Sequence, residues 1–532
     1  MQHPGGDGYS RVVSASPAFG EVATTPPAAS RLMITLAVMS ATLIQVLDTT
    51  IVNVALPHMQ GELGATSDQI SWVLTSYLVS SAIFMPLTGY FTDVWGRKRF
   101  LLICIAGFVA ASALCGISQT VAQIVFFRLL QGVIGAALVP LSQAIMADAY
   151  PPHERGKAMA IWGLGVMVGP VAGPTLGGWL TDIASWRWTF YINLPVGLLS
   201  WFLAAQFVPD SRRRERRMDW FGFGFMAIGI AGLQYVFDRG NQQDWFEGLD
   251  IRWAAAAAIV GIAVFIAHSL RRPAIAIFDV RIFTDRNFGM SSLIIACMGL
   301  GMFGGLVLQP VLLEGLLGYP IVTTGVLMAP RGIATAITMI VVGRLVSHVD
   351  ARYLVLAGLA FGALGSFGMT YYSLDVTQLN IIWPAFLQGI GLGLVFVPLS
   401  TVAYATLDRH RMAEAAGLFS LVRTVGSAIG ISIVTTLLAH QSQILWNELG
   451  AYVSQYHEAL VDYLRRLHLR PTDPRGLAVV AREVGRQAQM GAMLDVFKLI
   501  TLSYLLLVPL VFLLKKSTTQ RAGPAPDAAA AH

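Results

Sequence analysis

Long uninterrupted apolar blocks constrain this chain more than any other feature. Leu32 to Leu56, Trp72 to Tyr90 and Phe100 to Ile117 each approach or exceed the roughly 18–20 residues needed to cross a bilayer. Such blocks recur to the last, Met493 to Leu514. Lipid offers no hydrogen-bond partner to a peptide group, so segments of this kind must be helices. Composition agrees: the chain is only 12% charged, where a soluble chain carries roughly 25%. The pattern predicts fourteen spans, at about 32–56, 70–91, 100–118, 121–147, 157–181, 188–208, 219–238, 253–270, 287–314, 322–345, 353–372, 379–406, 412–439 and 491–514.

Lysine and arginine set the expected orientation, because they are retained on the cytoplasmic side. With both termini inside, 23 of the 36 basic residues fall in cytoplasmic loops and tails, among them Arg97, Lys98, Arg99 and the Arg212–Arg217 cluster. Short outer loops hold only Arg187, Arg239 and Arg252; six more lie in a long outer segment at about 440–490, a length the rule exempts. The net charge of +6 is therefore topological and gives no nucleic-acid surface. Cys104, Cys115 and Cys297 all lie within apolar blocks, with no disulfide framework or metal spacing. Residues 1–31, rich in Gly, Pro, Ala and Ser, read as a disordered tail, and 516–532 as a second tail. No cleavage-site pattern follows the first block, which reads as a retained helix.

An internal repeat suggests two related bundles. Gln131-Gly132 and Pro140-Leu141-Ser142 are echoed by Gln388-Gly389 and Pro398-Leu399-Ser400, and Gly169 and Gly173 reappear 257 residues later as Gly426 and Gly430. The expected organisation is a first six-helix bundle at 32–208 and a basic linker with two additional helices at 209–270. A second six-helix bundle follows at 271–515 and includes the long outer segment. Repeated halves meeting at a central site are common transporter architecture.

Asp48 is the most informative single residue. A carboxylate inside a span is costly unless paired or facing water, so it is a functional candidate. Arg128, inside the fourth span, lies at the same depth, about 10–12 Å from the outer end at 1.5 Å per residue. The two are expected to face each other, with protonation of Asp48 weakening the pair during transport; a static pair joining two helices is the plainer alternative. Glu314, near an outer turn with Arg331, is a second protonatable candidate or an ordinary solvated acid. Arg423, deep in the thirteenth span, faces a cavity or pairs with a helix carbonyl.

Two motifs point to movement. The loop from Gly89 to Phe100 holds Asp93 at a helix end, Gly96 at the turn and the basic triplet from Arg97, a set able to form a charge latch made in one conformation and broken in another. The fifth span carries Gly165, Gly169, Pro170, Gly173 and Pro174, then Gly177 and Gly178. Small residues at spacing four allow close helix approach, and two prolines remove backbone bonds; the run predicts a helix that flexes or slides.

Together these motifs resemble the major facilitator superfamily. The loop at 89–100 is similar to its signature between the second and third helices, Arg128-Leu129-Leu130-Gln131-Gly132 to its fourth-helix motif, and Gly165–Gly178 to its antiporter motif. Leu47–Pro57, Trp186 to Gly197, and Leu233 to Gly240 with Asp244-Trp245 resemble the fourteen-helix drug:proton antiporters of the EmrB/QacA type. The resemblance spans about 31 to 515. It implies an all-α integral membrane fold of two six-helix bundles plus two central helices. It also implies that protons moving inward drive export of hydrophobic or cationic drug-like molecules, with no cofactor beyond the proton gradient. Carried over by residue, Asp48 with Arg128 is the implied proton site and Asp93 with Arg97 the implied gating latch. The long outer segment, with an amphipathic helix near Glu458–Leu467, is similar to members that work with an EmrA-like periplasmic adaptor and a TolC-like outer-membrane channel. The implied location is a bacterial inner membrane, among its lipids. The second loop copy, Gly343–Asp350, is degenerate, so a latch there is not expected.

Export of a single natural product fits the same motifs, and a non-transporting sensor is a more distant reading. No nucleophile–base constellation or P-loop stands in the sequence to suggest an enzyme or an ATP-driven pump. Trp72, Tyr77, Phe303 and Trp383 are the aromatics to weigh as cavity lining or as packing.

Overall fold

The computed structural model describes residues 28–151, 154–211, 213–273, 275–408, 411–453, 458–470 and 473–515. Most of the two expected tails, with Arg212 and Arg409, lies outside the described residues. Fourteen helices are long and apolar enough to cross a membrane. They are α1 Ser30–Glu62, α2 Asp68–Trp95, α3 Arg97–Gly116, α4 Val121–Ala149, α5 Arg155–Ile183, α6 Trp188–Phe207 and α7 Trp220–Gln243. Then follow α8 Leu249–Arg271, α9 Arg286–Leu316, α10 Val322–Leu345, α11 Ala351–Met369, α12 Gln378–Ala403, α13 Met412–Ala451 and α14 Pro474–Val511. The end of the bundle carrying Arg97, Lys98 and Arg99 is called the basic face below.

Glycine and proline decide how the helices meet. In α5, Cβ atoms at Gly169 and Gly173 would sit 2.4 Å from Val46 and 2.1 Å from Thr50 on α1, so only glycine lets these helices touch. The repeat of these glycines does the same work in the second half: Gly426 and Gly430 of α13 press on Ala296 and Leu300 of α9. Near Pro140 the fourth helix breaks at Ala136–Ala137, because proline has no N–H to bond back one turn. The Gln45 side chain repairs the break from α1, its Oε1 accepting the Val139 N–H at 2.8 Å. A second break, at Ile192, falls immediately before Asn193 in α6.

The halves close on each other near the basic face. Gly89 on α2 abuts Glu414 on α13, Gly156 on α5 abuts Val346 just beyond α10, and Gly417 abuts the Met85 carbonyl. About one-third of the way in, Trp162 of α5 and Phe396 of α12 stack across the seam, with ring centroids 5.8 Å apart and planes 15° apart. The pair α7 and α8 pack on one another and, through α7, on α2.

One expectation needs correcting. The outer segment at 440–490 is largely helix, not loop: α13 has 40 residues and α14 has 38. At 1.5 Å per residue each is nearly 60 Å long, about twice the hydrocarbon thickness. Their far ends run side by side, with Gly491 against Leu445 and Gly485 near Trp446, and the short helix Glu458–Arg466 between them sets its buried Leu464 beside Gly476 of α14. Hydropathy sees where apolar residues stop; a helix continues into water on polar residues such as Gln441, Gln443 and Glu448.

Candidate functional site

Asp48 is fully buried in the first half, and every described contact to its carboxylate is a donor. Oδ2 accepts from Arg128 Nη1 at 2.5 Å. Oδ1 accepts from Gln131 Nε2 and from Asn193 Nδ2, each at 3.0 Å. Arg128 is equally sealed: Nε donates to the Val73 carbonyl at 3.1 Å, Nη1 also reaches Gln131 Oε1 at 2.8 Å, and the guanidinium lies 4.2 Å from the Tyr77 ring centre. A carboxylate and guanidinium in such a place hold each other. Removing one partner of a buried pair typically costs about 3–5 kcal/mol.

Each supporting group is positioned by local sequence. Gln131 is one turn after Arg128, so both side chains point to the same helix face. Asn193 starts the second segment of α6, and its Nδ2 also meets Ser112 Oγ at 3.0 Å. Two residues beyond Asp48, Thr50 Oγ1 donates to the Gly169 carbonyl of α5 at 3.0 Å, tying the acid's helix to the glycine-rich one. Sequence reasoning singled out Asp48 and Arg128 but passed over Gln131 and Asn193 as ligands of the carboxylate; both stood inside recognised motifs, which was the available signal.

At the basic face the charge pairing departs from the implied latch. Asp93 Oδ2 pairs with Arg216 Nη1 at 3.4 Å, and the Asp93 carbonyl accepts the Arg214 N–H at 2.7 Å. Arg97 instead pairs with Asp148 near the end of α4. The reason is the turn between them: Gly96 has φ +82°, and the Arg97 N–H bonds Ser211 Oγ at 3.0 Å, which directs α3 and its first side chain towards α4. Arg216 reaches further, donating to the carbonyls of Ala276 and Ile277 at 2.6 Å each. The Asp279 N–H in turn donates to Glu414 Oε1 at 3.1 Å. The linker after α6 thus ties the signature loop to the segment preceding α9. In the second loop copy, Asp350 serves as a helix cap, accepting the Arg352 N–H at 3.0 Å.

The remaining candidates separate. Glu314 is exposed, in a π-turn that ends α9 after Pro310, whereas Arg331 is buried in α10. Arg423 is half-buried, its guanidinium carbon 6.0 Å from the ring centres of Trp162 and Phe396. The helix α5, with Gly165, Gly169, Pro170, Gly173 and Pro174, is continuous from Arg155 to Ile183. Tyr77 is buried under Arg128, while Trp72 and Trp383 are exposed. At the opposite end from the basic face, a cavity of about 550 Å³ lies between α13 and α14, lined by Thr435, Leu438, Gln443, Trp446, Asn447 and Gln489. There too, Glu62 accepts Trp186 Nε1 at 2.5 Å and pairs with Arg187, and Arg239 pairs with Asp68; these motif residues clamp α6 to α1 and α7 to α2.

Comparison with known proteins places this architecture. Residues 38–431 match the Major Facilitator Superfamily. The chain is 33% identical to the fatty acid resistance protein FarB of Neisseria gonorrhoeae, over 91% of this chain and 96% of that one. It is 33% identical to the multidrug export protein EmrB of Escherichia coli K12, over 92% and 96%. Among solved structures, the human organic anion transporter MFSD10 shares the fold with a TM-score of 0.58 at 16% identity, covering 90% of this chain and all of that one.

Proposed function

This chain belongs to the major facilitator superfamily, alongside the EmrB-type multidrug exporters, and we propose that it expels hydrophobic drug-like molecules in exchange for protons, with Asp48 as the carrier. The observation behind this reading is the buried carboxylate held by Arg128, Gln131 and Asn193. As charges, Asp48 and Arg128 cannot part within the membrane without a cost of about 3–5 kcal/mol. A proton removes that restraint. It also turns one carboxylate oxygen into a donor facing donors, so the hydrogen bonds around it must regroup. Thr50 passes the change to α5, whose glycine face lies on α1 and whose other contacts reach α10 in the second half.

Under the same proposal the basic face is cytoplasmic, both termini lie inside, and the conformation here is closed to the cytoplasm by the Trp162–Phe396 stack and the Arg216 tie. The membrane is a bacterial inner membrane. The projecting ends of α13 and α14 are the surface offered to a periplasmic adaptor feeding an outer-membrane channel. FarB's name, with its reference to fatty acids, suggests that cargo in this group is defined more by apolar bulk than by positive charge.

The test is uptake of a hydrophobic dye by inside-out vesicles with an imposed acid interior. Wild type should accumulate dye as the gradient collapses, and Asp48→Asn should fall to the level of empty vesicles. Full uptake by the variant would remove Asp48 from coupling and turn attention to Glu314.

A further inference from the structure

Asp48 and Arg128 neutralise each other in the first half, and the second half carries Arg423 on α13 beside Trp162 and Phe396. Arg423 stands 11 residues into α13, roughly 17 Å from its basic-face end at 1.5 Å per residue. Its guanidinium is level with the Trp162–Phe396 stack, well inside the bundle. Among the described residues, no carboxylate forms an ion pair with it. Its guanidinium lies against two sealed aromatic rings, Trp162 and Phe396, while the residue as a whole stays half-buried.

The neighbouring polar atoms share one character. Trp162 Nε1, Tyr404 Oη and Ser420 Oγ are all buried without a described hydrogen-bond partner. Trp162 is the aromatic beneath the guanidinium, Tyr404 lies within its electrostatic reach, and Ser420 is three residues earlier on the same helix. An indole N–H and a guanidinium only donate, and the two hydroxyls donate readily. A constellation of donors around an uncompensated cation, walled by aromatic rings, suits an anionic head group on an apolar body. It repels a cation.

We propose that Arg423 is the head-group anchor of the cargo site, and that the cargo is an amphiphilic carboxylate. The carboxylate takes the guanidinium above the sealed Trp162–Phe396 stack, and the apolar body extends along α13 away from the basic face. Twelve residues further along α13, about 18 Å, the cavity beginning at Thr435 offers apolar and amide groups without a charge, a suitable next station towards the far side. The proposal rests on reading the chain as an exporter and narrows its substrate class.

The test uses the full chain in nanodiscs of phosphatidylcholine and three matched fluorescent probes: an undecanoic acid carrying a dansyl group, its carboxamide, and the corresponding trimethylammonium compound. Wild type should bind the carboxylate most tightly. Arg423→Gln should weaken carboxylate binding about tenfold or more, the scale of one charge-assisted hydrogen bond, and leave the carboxamide within about twofold. Arg423→Lys should recover part of the preference. Equal or tighter binding of the trimethylammonium probe by wild type would overturn the proposal. So would an equal loss of all three probes in Arg423→Gln, or no binding of any probe by wild type. Binding needs no proton gradient. Selective carboxylate binding without proton-driven uptake would sink the antiport reading alone, and proton-driven uptake of cations without carboxylate selectivity would sink this one alone.

Discussion

The two halves of the molecule repeat a scaffold but not its charges. At the repeat position of Asp48, 257 residues on, the second half has Gly305, and at that of Arg128 it has Ala385. The glutamine survives. Gln131 hydrogen bonds the carboxylate, whereas Gln388 donates to Ser366 Oγ at 2.9 Å, with Arg331 nearby. The paired glycines also survive and still let the fifth helix of each half lie on its first. What is kept is packing; what is lost is the protonatable pair. One half thus holds the buried acid–base pair, and the other brings Arg423, half-buried, with no described carboxylate against it.

The comparison breaks most readily at Arg128. Arg128→Met leaves Asp48 buried without its cation and should destabilise the protein by about 3–5 kcal/mol. Asp48→Asn in the same chain should restore most of that loss, read by denaturation in detergent micelles. An unchanged single variant would show that the pair does not hold the first half together. The glutamines give a smaller, more pointed contrast. Gln131→Ala removes hydrogen bonds to two charges, worth about 1.5–3 kcal/mol, and Gln388→Ala a neutral one, worth about 0.5–1.5 kcal/mol. Only Gln131→Ala should also move the pH midpoint of exchange; a matching shift in Gln388→Ala would mean both halves take part in coupling. The smallest change in stability is expected for Arg216→Gln, about 0.2–1 kcal/mol for a part-exposed pair. Its effect should be conformational: a cysteine placed by Ser420→Cys, with the native cysteines replaced, should react several-fold faster with a water-soluble maleimide added from the basic face. An unchanged rate would show that the linker does not tie the halves.

Residue depth along a helix is readable from sequence, and for that reason Asp48 and Arg128 could be matched before any coordinates. Partner choice at the basic face is not readable in this way. Topology makes every loop there rich in arginine, so Asp93 has several candidate partners, and the chain's path after Gly96 decides for Arg216. Asn193 was hidden for a related reason, since a break of one residue at Ile192 turns its amide towards α1, and hydropathy is blind to such a break. The lengths of α13 and α14 escaped because polar helix formers carry them beyond the apolar stretch.

Those lengths have a mechanical meaning. Because α13 is one unbroken rod, Glu414 at its basic end, Arg423 less than a third of the way along and Trp446 near its tip belong to a single rigid body. A small tilt about the membrane-embedded portion becomes a wider sweep where the rod stands clear of the lipid. Any protein resting on that tip would feel each turnover as displacement, and a load on the tip would push back on the Glu414 contacts at the other end. The rod works as a lever between its projecting tip and the contacts at the basic face.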